Sequence, residues 1–168
     1  LREVEDNKLS YDKTLEAINN KSDLIFNGLV RGEICKQFME FRVPIIIRKD
    51  LVMDFYLLED HIKECTEDIN NSDYHIISHI KCQSLGLLSD GLEIDSHCKV
   101  EKYFNLIYQK LLSQMIKQDV SIGFMIGRSY KSRKFKDRLY SFDYMGIVNK
   151  NNDSMIDDIK ESMAANSE

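Results

Sequence analysis

The chain has 168 residues, 43% hydrophobic and 30% charged, with a formal net charge of −5. That length holds one domain with a real core, or a helical stalk plus a domain of about 120–140 residues, and the apolar fraction excludes wholesale disorder. The acidic balance excludes a global electrostatic drive toward nucleic acid or acidic membrane, so any such binding has to be local.

The first 29 residues carry a heptad register. With Leu1 at a, the a positions are Leu1, Lys8, Leu15, Ser22 and Leu29, and the d positions are Val4, Tyr11, Ile18 and Ile25. Seven of these nine are apolar, a seam too narrow to bury itself, and the pattern predicts a parallel coiled-coil homodimer. Asn19-Asn20 weaken the helix without ending it in this reading. The helix is expected to run to Phe41, with Ile25, Leu29, Ile34, Phe38 and Phe41 near one face, so residues 1–41 form a helical stalk. Gly28 and Gly32 mark either the close approach of another backbone or a hinge.

Pro44 ends that helix, and Val43 to Ile47 reads as a short buried strand. Asp50 caps a helix over 51–69, with Leu51, Phe55, Leu58, Ile62, Cys65 and Ile69 inward. Tyr74 to Leu85 fits either a helix or a β-branched strand. After a turn at Ser89-Asp90-Gly91, Asp95 or Ser96 caps a helix over 98–118, predicted to bury Val100, Phe104, Ile107, Leu111 and Met115. Val120, Ile122, Phe124 and Ile126 then alternate with smaller residues, as do Tyr140, Phe142 and Tyr144. Two such runs predict an antiparallel hairpin over 120–148. A short helix from Ser154 to Met163 and a polar tail at 164–168 complete the chain. The expected fold class is α+β: an N-terminal coiled-coil helix, then a globular domain over 42–163 of amphipathic helices on a small antiparallel sheet.

Chemistry-bearing residues are sparse. Arg128 to Arg138 holds six basic residues and one acidic one. Arg128, Lys131, Arg133, Lys134, Lys136 and Arg138 suit phosphate or an acidic partner, and Tyr130 and Phe135 offer stacking surfaces. The bland alternative is a charged hairpin tip that stays solvated. His75, His79 and Cys82 share a face if their segment is helical, a geometry zinc accepts, although no second paired cluster accompanies them. Asp90, Glu93 and Asp95 before Lys99 loosely echo metal-holding nuclease sites, but turn and cap chemistry explains them. No glycine-rich phosphate loop and no G-x-S-x-G elbow is present.

Cys35, Cys65, Cys82 and Cys98 form no C-x-x-C pair and read as reduced thiols of an intracellular protein, nuclear or cytoplasmic. No apolar run approaches a membrane span, no signal peptide opens the chain, and a first residue of leucine suggests a piece of something longer. The function expected from sequence is therefore a non-enzymatic, dimeric interaction or scaffold module in a larger intracellular complex of eukaryotic type, without cofactor. A nucleic-acid- or phosphate-associated protein acting through 128–138 is the alternative, and a metal-dependent enzyme the second.

Overall fold

The computed structural model describes residues 3–5, 9–52, 70–79, 84–87, 99–126, 129–132, 139–140 and 146–149. The elements are β1 (Glu3–Glu5), α1 (Tyr11–Asn19), β2 (Leu24–Ile34), β3 (Gln37–Arg48), α2 (Lys49–Val52), β4 (Tyr74–His79), β5 (Ser84–Leu87), α3 (Lys99–Ile116), β6 (Ile122–Ile126), β7 (Ser129–Ser132), β8 (Leu139–Tyr140) and β9 (Gly146–Asn149). Six strands form one mixed sheet in the order β1-β2-β3-β4-β6-β9, and β5-β7-β8 form a second.

The fold is mixed α+β, and the coiled-coil stalk is overturned. A seam needs one continuous helix, but Val4 lies in β1, Tyr11, Leu15 and Ile18 in α1, and Ile25 and Leu29 in β2. Leu1 lies outside the described residues. The boundary placed at 41/42 falls inside β3. Asn19 and Asn20 do more than weaken a helix. Asn20 is the C-cap of α1, and Lys21 follows in the left-handed region at φ 56°. The Ser22 N–H donates to Ala17 O and the Lys21 N–H to Ile18 O, a Schellman closure. At the other end the Ser10 side chain accepts from the Lys13 N–H.

β2 and β3 form a long antiparallel hairpin closed by Cys35 and Lys36, both at positive φ (51° and 64°). Two such residues in a row are the type I′ geometry that matches strand twist. The period that reads as helical over 25–41 has a specific cause. Asn27 adopts φ 54°, and the register passes from Phe26↔Ile45 to Gly28↔Val43, skipping Asn27 and Pro44. Before this kink Ile25 and Ile46 enter the core beneath the helices, and beyond it Val30, Ile34 and Val43 enter the same core. Alternation thus changes phase once in each strand. Pro44 is tolerated inside β3 because it sits at that kink, where no ladder N–H is needed. Arg42 Nη1 secures the bend, donating to Asn27 O at 2.6 Å and to Leu9 O at 2.9 Å.

β1–α1–β2 and β4–α3–β6 are both parallel crossovers. β2 and β4 run the same way, each being antiparallel to β3. Both crossovers also step in the same direction across the sheet, so one common hand puts both helices on one face. There Ala17 and Ile18 of α1 and Leu111 and Leu112 of α3 meet Ile25, Val43, Ile46 and Ile76. The opposite face gathers Leu24, Ile47, Val52, Ile77, Ile122 and Phe124. Both glycines of β2 answer to close approach: a Cβ on Gly32 would strike the Gln114 amide of α3, and one on Gly28 would lie 3.0 Å from Ile46 Cδ1. Gln114 closes the contact by bonding both the N–H and the C=O of Glu33 (2.9 and 2.7 Å).

The hairpin expected over 120–148 is paired differently. β6 joins β4 in parallel and β9 in antiparallel, whereas Leu139–Tyr140 pairs with β7 in the second sheet. Of the helix expected over 51–69, only its start in α2 lies among the described residues, and the helix expected over 154–163 lies wholly outside them.

Candidate functional site

The helix expected over 98–118 is α3, but only part of the face its apolar spacing names turns inward, with Ile107 and Met115 packed partly buried against the core. Leu111 is buried as expected, whereas Val100 is 61% and Phe104 40% exposed. In their place Lys102, Asn105 and Gln109 turn inward with Leu106 and Leu112. Phe104 instead stacks along the helix surface with Phe41 and Tyr108, at centroid distances of 5.8 and 6.2 Å. Burial in that group pushes the Tyr108 hydroxyl above its ordinary pKa.

The inward polar side chains form a connected set, as burial in a low dielectric requires. Asn105 Nδ2 donates to Ser78 Oγ at 2.7 Å and to Phe124 O at 2.9 Å, and Asn105 Oδ1 accepts from Gln109 Nε2 at 2.8 Å. Room for the two amides comes from Gly123, where a Cβ would strike Asn105 Oδ1 and lie 2.5 Å from Gln109 Nε2. α3 is thereby fixed against β4 and β6 by polar contacts. The sequence signal was an amide pair four residues apart on a helix, with a lone glycine inside a strand of large residues.

This set lies toward the carboxyl ends of the parallel pair β4–β6, the side of an open α/β sheet where ligands gather. Asn105 bonds at the level of Phe124. Lys102 stands a further turn outward, about 4.5 Å, and Ile126 about 6.6 Å beyond Phe124. The first turn of α3 therefore borders the end of β6. Lys99 and Lys102 both lie there, with Glu101 the turn's acid, so two cations sit at the positive end of a helix dipole. Lys99 Nζ is 5.5 Å from the centroid of the Tyr103 ring.

The basic segment starts from the same place. β6 ends at Ile126 and β7 begins at Ser129, so the chain can move only a few residue lengths between them. Tyr130 and Lys131 belong to β7, which pairs with β5 in parallel and β8 in antiparallel. Arg128, Arg133, Lys134, Phe135, Lys136 and Arg138 lie outside the described residues.

The helical face proposed for His75, His79 and Cys82 does not exist. Both histidines belong to strand β4, and Cys82 lies outside the described residues. His75 is fully buried on the sheet, its Nδ1 3.2 Å from Ile122 O and its ring edge-on to Phe124. That is the setting of a core histidine. Asp90, Glu93 and Asp95 also lie outside the described residues, and among the described ones no three His, Cys, Asp or Glu side chains converge as metal ligands. Among the described residues no helix is long and apolar enough to cross a membrane. Comparison with protein-family models, curated proteins and solved structures returned no match for this chain.

Proposed function

We propose that this is a nucleic-acid-associated binding protein, without a catalytic step, that holds phosphates through the segment 128–138. The observation carrying this reading is a convergence of charge on an acidic protein. Six basic residues within eleven follow β6 in sequence, and the carboxyl end of β6 borders the lysine-bearing first turn of α3. Local potential rather than net charge governs the docking of a polyanion, and nearby Tyr130 and Phe135 suit unstacked bases. The polar lock of Asn105, Ser78 and Phe124 anchors α3 to β6, the strand that the segment follows in sequence.

The test is fluorescence anisotropy with a labelled single strand and a duplex of unrelated sequence, across a salt series. Binding is expected to weaken linearly in log salt, with a slope of about 0.7–0.9 per phosphate contact. Changing Lys131, Arg133, Lys134 and Lys136 together to Glu should abolish binding to both probes at physiological salt. Equal affinity and equal slope for parent and variant would sink the reading.

A further inference from the structure

At the opposite end of the sheet, where α1 and α3 terminate, lies an open cleft of about 570 Å³. That volume is of ligand-pocket size. One wall is apolar, formed by Leu15, Ile18, Met115 and Ile116. The rim is charged and mostly self-satisfied. Arg48 forks onto Asp50 (Nε–Oδ1 2.6 Å, Nη2–Oδ2 2.7 Å) and reaches Asp23 at 2.6 Å. Asp73 accepts from Gln118 Nε2 at 2.9 Å and faces Lys49 Nζ at 3.3 Å. These bonds hold both carboxylates below the ordinary range, Asp50 chiefly through Arg48 and Asp73 chiefly through Gln118. Tyr74 closes the base, donating to Ser22 O at 2.6 Å, and burial pushes its hydroxyl up to about 12.

Two rim cations stand apart. Lys21 and Lys117 both line the cleft, and among the described residues neither makes a direct salt bridge, although the Lys21 charge helps to hold the rim carboxylate of Asp73 below its ordinary range. Each is the left-handed residue that ends a helix, at φ 56° and 55°. Each precedes a residue whose N–H closes the last turn, Ser22 onto Ala17 O and Gln118 onto Ser113 O. Glycine is the residue this position favours, because a Cβ is penalised there. The same unfavoured choice, made twice and on one cleft, puts two lysines without a direct salt bridge on the lining that also holds the apolar wall. Attraction of lysine to a helix carboxyl end offsets part of the strain at either position. It does not account for an open cleft shared by both.

We propose that this cleft binds a small amphiphilic anion, with an apolar or aromatic body of up to nucleoside size against Leu15, Ile18, Met115 and Ile116. Its phosphate or carboxylate is held by Lys21 and Lys117. The site is at the far end of the sheet from the carboxyl end of β6 and does not rest on the nucleic-acid reading.

The experiment is calorimetric and NMR titration of the whole chain with a nucleoside monophosphate, the matching neutral nucleoside, and an aromatic carboxylate, following the Met115 methyl resonance. At least one anion should bind saturably at micromolar to millimolar Kd and move the Met115 signal, and the neutral nucleoside should bind at least tenfold more weakly. Which anion binds identifies the headgroup. Lys21→Gln and Lys117→Gln should each weaken binding about tenfold. Lys21→Gly with Lys117→Gly should remove binding while raising the melting temperature by about 2–4 °C, as strain is relieved. No saturable binding of either anion up to roughly 10 mM, equal binding of the neutral nucleoside, or undiminished binding to the glycine variant would each overturn the proposal.

Discussion

α1 and α3 make the same connection on the same sheet face and close with the same capping motif, yet they bury different chemistry. α1 presents Ala17 and Ile18 with one polar residue, Thr14, whose Oγ1 accepts from the Leu29 N–H at 2.9 Å. α3 presents Asn105 and Gln109 among its leucines and leaves Val100 and Phe104 outside. Apolar packing with a single directed bond, at Thr14, places a nine-residue helix near a sheet edge. The longer α3 crosses β4 and β6, the buried parallel pair, and is fixed there in one register by directed bonds that tolerate no slip. The difference teaches that burial in this protein is set by partners across the interface rather than by the polarity of the helix residue itself.

The strongest way to break that comparison is at the glycines under each helix. Gly123 lies beneath α3 and Gly28 beneath α1. Gly123→Val should cost about 3–5 kcal/mol, because a branched side chain both overpacks the site and separates Asn105 from its partners. Gly28→Ala, whose Cβ would meet carbon atoms of Ile46, Thr14 and Ile25 at 3.0–3.3 Å, should cost about 1 kcal/mol. Urea denaturation of both variants measures the gap. Equal losses would mean that the amide network constrains nothing beyond volume.

A finer cut is made at the polar residues. Asn105→Ala strips a donor from Ser78 Oγ and Phe124 O inside a closed interface and should cost about 2–3 kcal/mol. Thr14→Val keeps the shape and orphans one N–H, that of Leu29, at about 1–2 kcal/mol. If Asn105→Leu proves as stable as the parent, the network contributes register at most, and the larger figure for alanine reflects a cavity.

The cleft end offers a pH test. Asp50 and Asp73 are held below ordinary carboxylate pKa values by bonds to their ionised forms. Their contribution is therefore complete above the unfolded value, near 4, and is lost as pH falls through the lower folded values. Both are largely exposed, so the effect should be small, about 0.3–1 kcal/mol for each. Asp73→Asn should flatten the acid limb of a stability–pH curve taken between pH 6 and roughly 2.5. Tyr74 acts with the opposite sign. Its hydroxyl stays protonated in the fold up to about 12, so stability falls as pH rises above its unfolded value near 10. An acid limb identical in Asp73→Asn and parent would remove the Gln118–Asp73 bond from the account.

Much of this architecture was legible, but only where one local rule governed a segment. The helix over 98–118 was bounded almost as observed, and the β-branched run Val43 to Ile47 is a strand. The heptad seam failed because Ile18 on α1 and Ile25 on β2 serve one core from two element types, joined by a turn that lacks its usual glycine. The β2–β3 hairpin reads as helix up to Phe41 because the left-handed Asn27 and the facing Pro44 shift alternation by one, which turns a period of two into apparent helical spacing. Asn105, Gln109 and Lys102 were invisible to apolar periodicity by construction. Lys21 and Lys117 escaped because the left-handed position that identifies them is a property of the fold, not of lysine.

A small expected effect at Phe104 corrects the sequence reading most directly. Apolar spacing put Phe104 in the core, where truncation to alanine costs about 3–5 kcal/mol. The residue is 40% exposed, and its edge-on contact with Phe41 at 5.8 Å is made on the helix surface. An aromatic pair of that kind contributes about 0.5–1.5 kcal/mol beyond area, and part of the ring keeps its water. Phe104→Ala should therefore cost about 1 kcal/mol, while Leu111→Ala, two turns on and fully buried, should cost about 2–5 kcal/mol. The ratio of the two, taken from urea midpoints at a common m-value, is insensitive to errors of extrapolation. A Phe104 loss equal to that of Leu111 would rotate α3 back to the face its apolar residues name, and would take the amide network out of the core with it.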